Sequence, residues 1–139
     1  MFEELKPIFA RGKIWFLSTS VESGSNGILK LMNRRYTIHD FIKCIRILNN
    51  EYPKLLLRTQ LMVGFPTEKN EDFLLTKKLL DTLKFDWVEI YKFTPNKGTP
   101  AATMTDQVPE HIKVKRWWQL YLKTRLQRPH KKLRQIFFQ

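Results

Sequence analysis

Glu22, Ser23 and Ser25 surround Gly24 at the point where an apolar segment gives way to Asn26-Gly27-Ile28-Leu29. An acid among hydroxyls at a glycine turn suits a hydroxyl-rich ligand, because a carboxylate accepts hydrogen bonds from a diol such as a ribose. A helix opening at Ser25 or Asn26 adds free backbone N–H groups for an anionic or hydroxyl-bearing group. Capping and turn formation alone also place serines and glycines in such a stretch. Two later stretches have a comparable make-up. In Val63-Gly64-Phe65-Pro66-Thr67-Glu68, glycine lets the backbone approach a flat ligand while Pro66 fixes the chain direction. Thr94-Pro95-Asn96-Lys97-Gly98-Thr99-Pro100 is the third, and it also reads as an ordinary surface loop.

Three segments that read as buried parallel strands, 13–19, 55–65 and 87–93, hold these stretches side by side. Their centres are aliphatic or aromatic with weak alternation, the pattern of strands covered on both faces. A short helix bearing Ile28, Leu29 and Met32 follows the first loop. Thr37 then reads as an N-cap with Asp40 three residues on, and Ile38, Phe41, Ile42, Ile45 and Leu48 recur at helical spacing until Tyr52-Pro53. Cys44 lies beside that stripe as a structural thiol. A helix starting near Asn70 turns Phe73, Thr76, Leu80 and Leu83 inward, with Glu71 and Asp72 favouring its dipole. Pro109-Glu110 opens a longer helix carrying Trp117, Trp118 and Tyr121 toward a break near Pro129. The order βαβαβ with right-handed crossovers gives an α/β fold whose functional loops gather at the carboxyl ends of the strands.

Composition narrows the partners. A chain of 139 residues with 42% hydrophobic residues is long enough for a packed core, and no stretch is apolar for long enough to span a bilayer. The acids in MFEELKPIF stand where a signal peptide carries basic residues, so the expected location is cytoplasmic. One cysteine excludes an internal disulfide framework and a CxxC metal knuckle. The net charge of +12 favours polyanions, and +8 of it lies in 110–139, where nine Lys and Arg face one acid. Lys113, Lys115, Arg116, Lys123 and Arg125 interleaved with Trp117, Trp118 and Tyr121 form a pattern that binds single-stranded RNA by charge and stacking. The same charges equally suit a solvated helix face, and the same aromatics equally suit packing of that helix on the sheet.

Taken in order, the motifs resemble those of the radical S-adenosylmethionine (radical SAM) methylthiotransferases. The matching stretches are Glu22-Ser-Gly-Ser, Leu31-Met-Asn-Arg-Arg-Tyr-Thr37, Val63-Gly-Phe-Pro with Glu68, Glu71-Asp-Phe73, Gly98-Thr-Pro-Ala-Ala102, and Asp106-Gln-Val-Pro-Glu110 before a helix with Lys115 and Arg116. The resemblance runs from about Leu5 to Leu122 and implies a partial barrel: 1–108 as the second half of a radical SAM barrel and 109–139 as a basic helix and tail. It implies S-adenosylmethionine as ligand, with Glu22, Ser23 and Ser25 at the ribose and methionyl end. Arg34, or its neighbour Arg35, would meet the carboxylate, since a guanidinium pairs with a carboxylate bidentately. Val63, Gly64 and Phe65 would border the adenine, and Tyr91 and Phe93 would stack there or pack in the core.

The chain also departs from that family. Glu22 stands where methylthiotransferases often have Gln, and Thr67 where they have Gly. The CxxxCxxC motif that binds three irons of the family's 4Fe–4S cluster has no counterpart among these residues, so the chain alone is not expected to perform the radical reaction. A half barrel also leaves a strand edge and a sheet face uncovered. The expected partners are therefore the missing N-terminal half of the barrel or a second copy, with tRNA or a ribosomal protein as the methylthio acceptor. A noncatalytic RNA-binding module and a truncated, oligomerising scaffold are the alternatives.

Overall fold

In the computed structural model, which describes residues 2–127, three parallel strands lie in sequential order: β1 (Phe16–Glu22), β2 (Leu56–Val63) and β3 (Trp87–Lys92). Helices α1 (Phe2–Ala10), α2 (Asn26–Leu31), α3 (Ile38–Glu51), α4 (Asn70–Thr82), α5 (Pro100–Thr103) and α6 (Glu110–Gln127) complete the chain. The expected break near Pro129 and the basic residues beyond it lie outside the described residues. Among the described residues, no helix is long and apolar enough to cross a membrane.

Local chemistry fixes most boundaries. Thr37 caps α3 through a reciprocal box: its Oγ1 accepts the Asp40 N–H at 3.2 Å, and its own N–H donates to Asp40 Oδ2 at 3.1 Å. Phe41, Ile45 and Leu48 then face the core. At the start of α4, Asp72 Oδ2 accepts the Lys69 N–H at 2.9 Å, which leaves Phe73, Thr76, Leu79 and Leu80 buried. Sequence periodicity does not reveal α1, which carries Pro7 inside it, where proline has no N–H to donate. Phe9 of that helix is buried against Tyr52, ring centroids 5.2 Å apart.

The strands differ from the expected spans at the first one, which starts at Phe16 and continues through the polar run Ser18-Thr19-Ser20 to Glu22. Pairing decides this: Ser18, Thr19 and Ser20 align with Arg58, Thr59 and Gln60 of β2. Coverage on both faces does not hold either. Leu57, Thr59, Leu61 and Val63 of β2 are buried, whereas Arg58, Gln60 and Met62 between them are only partly so. Period-2 placement assigns these two sets to opposite faces, so one face packs on the helices and the other is open. The core joins Val21, Leu57, Leu61 and Val63 to Phe41, Ile45, Leu48, Phe73, Leu79 and Leu80, with Leu120 from α6 fully buried among them.

Candidate functional site

All three strands run parallel, so their carboxyl ends lie at one end of the sheet. β1 ends in a bulge: pairing passes from Ser20–Gln60 to Glu22–Leu61, which leaves Val21 as the extra residue. The Tyr36 hydroxyl secures the bulge, donating to the carbonyls of Ser20 and Val21 at 3.0 and 3.2 Å. Glu22 follows with φ 65°, a left-handed conformation that turns the chain out of the strand. Its Oε1 accepts from Arg34 Nη2 at 2.6 Å, so the structure brings together the two charged residues expected at the ligand. Burial pushes the Glu22 carboxyl above the usual carboxylate range, against the pull of Arg34.

The serine-glycine loop is tied down to α4. Gly24 N–H donates to Thr76 Oγ1 at 2.9 Å, and Ser23 Oγ lies 3.3 Å from the same hydroxyl. Ser25 Oγ donates to Asp72 Oδ1 at 2.5 Å and accepts the Ile28 N–H at 3.4 Å, which makes Ser25 the cap of α2. Asn26 instead accepts the Ile38 N–H, at 2.8 Å. Of the N–H groups expected to meet a ligand here, those of Gly24, Ser25 and Ile28 are taken within the protein, so a ligand at this helix start would use those of Asn26 and Gly27. Ser23 and Ser25 are buried and shape the loop, and Glu22 and Arg34 are its charged groups.

At the end of β2, Gly64 has φ +76°, and its N–H donates to Glu68 Oε2 at 2.6 Å. Val63, expected at the adenine, ends β2 with its side chain fully buried in the main core, and its carbonyl accepts the Phe93 N–H at 2.9 Å. Phe65 and Phe93 meet edge to face at 5.2 Å, in a small cluster with Ile28 that Met32, Met62, Ala101 and Met104 border. Residues following all three strands thus converge on one apolar patch. Tyr91 parts from Phe93: it is 47% exposed and donates to Glu89 Oε2 at 2.5 Å.

That contact belongs to a polar network the sequence did not announce. On the open face, Ser20 Oγ donates to Gln60 Oε1 at 2.6 Å, Gln60 Nε2 lies 3.3 Å from Glu89 Oε2, and Arg58 pairs with Glu89. The hydrogen bonds from Arg58 and Tyr91 hold the Glu89 carboxyl below its usual range. Alternation of Arg58 and Gln60 with Leu57, Thr59 and Leu61 was the available signal.

The basic helix divides. Lys113 and Arg116, expected to face nucleic acid, are buried at 6% and 8% exposure. Lys113 Nζ donates to the Phe93 carbonyl at 3.0 Å, and Arg116 Nη1 donates to Glu68 Oε2 at 2.6 Å. A nucleic-acid strand has no access to them, because α6 turns this face onto the strand ends. Lys123 pairs with Asp81 at 2.5 Å, while Lys115 and Arg125 are exposed, Arg125 lying 5.0 Å from the Tyr121 ring centroid. Trp117 donates its indole N–H to the Ile90 carbonyl at 2.9 Å, the packing use of that tryptophan.

Thr67 occupies a glycine-like conformation, φ 68°, with its N–H on the Asp106 carbonyl at 2.9 Å. Thr67→Gly is therefore expected to stabilise the fold by about 0.5–1 kcal/mol, the relief of left-handed strain less the freedom glycine gives the unfolded chain. Chemical denaturation measures it, and a destabilised variant contradicts it.

A sequence profile of the radical SAM superfamily matches residues 2–80, more than half of the chain. The tRNA-2-methylthio-N(6)-dimethylallyladenosine synthase of Acetivibrio thermocellus is 42% identical over 99 residues, covering 71% of this chain and 21% of that protein. The enzyme of the same name from Rickettsia akari is 44% identical over 101 residues, covering 73% and 23%. The chain thus spans less than a quarter of the length of these relatives. Among solved structures, coproporphyrinogen III oxidase (HemN) of Escherichia coli, a radical SAM enzyme, superposes with a TM-score of 0.72 at 18% identity, over 91% of this chain and 30% of that one. Methanocaldococcus infernus Elp3 gives 0.56 at 22% identity, over 88% and 25%. These likenesses show the fold, and the three-stranded parallel sheet with its helices is a partial barrel of that type.

The superfamily implies S-adenosylmethionine and a 4Fe–4S cluster. The residues do not fit the cluster: Cys44 is the single cysteine, half-buried on α3, and among the described residues no three His, Cys, Asp or Glu side chains group as metal ligands. They do fit the nucleoside, with a buried acid, a guanidinium and an apolar aromatic patch at one end of the sheet. From the profile match and the shared motif order, the chain belongs to the radical SAM superfamily and carries the sequence signature of its methylthiotransferases.

Proposed function

We propose that this chain is the S-adenosylmethionine-binding half of a radical SAM methylthiotransferase barrel whose acceptor is an adenosine of tRNA. The observation that carries the reading is the convergence of Ile28, Phe65 and Phe93, one from beyond each strand, at the end of the sheet where β1 leads into the Glu22–Arg34 pair. The names of its relatives favour tRNA over a ribosomal protein as acceptor, and such a substrate implies a cytoplasmic location. The cluster, and with it the cleavage chemistry, has to come from residues outside this sequence. The open face with Arg58, Gln60 and Glu89, and the free edge of β1, are where the other half of the barrel, or a second copy, would close the sheet.

In this reading Phe65 and Phe93 give the adenine an apolar seat, and Glu22 accepts from the ribose hydroxyls while Arg34 offers its remaining N–H donors to the ligand carboxylate. The bulge and the Tyr36 hydroxyl hold Glu22 in its left-handed turn before any ligand arrives. S-adenosylmethionine titrated into the chain assembled with a cysteine-bearing first half of the barrel tests this. Arg34→Ala is expected to weaken binding about tenfold or more, the worth of a charge-assisted hydrogen bond. Unchanged affinity removes Arg34 from the site, and no binding by the unsubstituted assembly overturns the reading.

A second reading, RNA binding along α6, keeps only its exposed groups, Lys115, Trp118 and Arg125. It requires that RNA affinity fall steeply with salt and respond to Lys115→Ala.

A further inference from the structure

We propose that Lys113 and Arg116 are positioning residues for the adenine end of the ligand, acting through the backbone at two strand ends and touching neither ligand nor nucleic acid. The proposal rests on the S-adenosylmethionine reading above. The inward face of α6 reads Lys113, Arg116, Leu120, all buried. Apolar residues at 113, 116 and 68 together would cover the sheet without the cost of desolvating charges, and a buried ion pair is commonly no more stabilising than replacement of both its partners. What the cations add is direction.

Lys113 Nζ donates to the Phe93 carbonyl at 3.0 Å, fixing the backbone just beyond β3. Its stem lies over Gly64, where a Cβ would come within 2.3 Å of Lys113 Cγ, so the lysine fills the space a side chain at 64 would need. One turn on, Arg116 Nη1 donates to the Glu68 carbonyl at 3.1 Å and to Glu68 Oε2 at 2.6 Å. That same Oε2 accepts the Gly64 N–H at 2.6 Å. A single helical turn therefore fixes the backbone at Gly64, Glu68 and Phe93, and this backbone carries the two rings, Phe65 and Phe93, that meet at 5.2 Å. Shifting either cation changes the gap between those rings while leaving Glu22 and Arg34, beyond β1, in place.

The asymmetry supplies the test. In the assembled barrel, affinities are measured for S-adenosylmethionine, for its analogue with hypoxanthine in place of adenine, and for its decarboxylated analogue. The variants are Lys113→Met and Arg116→Lys, with exposed Lys78→Ala as the charge control. Arg116→Lys keeps a cation beside Glu68 and serves if Lys113→Met does not fold. Each is expected to weaken S-adenosylmethionine about five- to tenfold, as for one lost hydrogen bond to a charged group. Discrimination against hypoxanthine narrows, and discrimination against the decarboxylated analogue stays. Equal loss at both ends, or no change at either, overturns the positioning role. If the unsubstituted assembly binds no S-adenosylmethionine, the underlying reading fails first, and that result is distinct from either.

Discussion

Gly24→Ala is expected to destabilise the fold by about 3 kcal/mol, at the upper end for overpacking, and to lower the unfolding midpoint of a chain this size by about 10 °C. A Cβ at Gly24 would lie 2.5 Å from the Leu75 carbonyl oxygen, 2.6 Å from its carbon and 2.6 Å from Thr76 N. All three are backbone atoms of α4, so no side-chain rotation makes room. Moving the loop outward breaks the Gly24 N–H bond to Thr76 and draws Ser25 from Asp72. Gly27 is the internal comparison. A Cβ there meets only Ser25 Oγ at 3.5 Å, an ordinary contact, and α2 gains helix propensity. Gly27→Ala should therefore match or exceed the parent in stability, by up to about 1 kcal/mol. Equal melting of Gly24→Ala and the parent protein would contradict the close approach of this loop to α4.

Arg116→Met is expected to cost about 3–5 kcal/mol, because it leaves Glu68 as an uncompensated buried carboxylate. The Glu68 side chain is fully buried, its Oε2 already takes the Gly64 N–H, and its Oε1 has no partner among the described residues. Burial raises the Glu68 carboxyl above the usual range, with the Gly64 N–H and Arg116 pulling it back. Without the guanidinium it rises further. A carboxyl whose folded value is raised holds its proton more tightly when folded, so protonation favours the folded state and that advantage is lost as pH climbs through the folded value. The deficit of the variant is therefore largest near pH 8 and shrinks toward pH 5. Adding Glu68→Gln removes the charge and should recover part of the loss. Denaturant titrations at the two pH values measure both effects, and a deficit independent of pH contradicts the account.

Sequence conveyed the parts whose causes are local. The Thr37–Asp40 box, the apolar stripe of α3 and the start of α4 are all set within a few residues, and each is where its spacing placed it. The strand-end loops were legible as a group, because glycine, proline and hydroxyls follow each apolar run. What escaped depends on partners far away in the chain. Lys113 and Arg116 look like solvated charge until Phe93 and Glu68, 20 and 48 residues earlier, are seen to receive them. Three of the N–H groups expected to be free after β1, those of Gly24, Ser25 and Ile28, are taken by Thr76 and by the loop's own serines. Val63 shares the buried face of Leu57, Thr59 and Leu61, so its side chain packs in the core and its backbone is the part that lies at the strand end.

The sequential order of the strands has a consequence for how the protein emerges from the ribosome. Each strand can add to the edge of the one made just before it, so the sheet grows in the direction of synthesis with no gap to be filled later. Glu68, however, leaves the exit tunnel 48 residues ahead of Arg116, a delay of about 2–10 s at ordinary translation speeds. During that interval Glu68 has no guanidinium partner, and the arrival of α6 supplies it and adds the Lys113 bond to a junction that β2 and β3 already make through Val63 and Phe93.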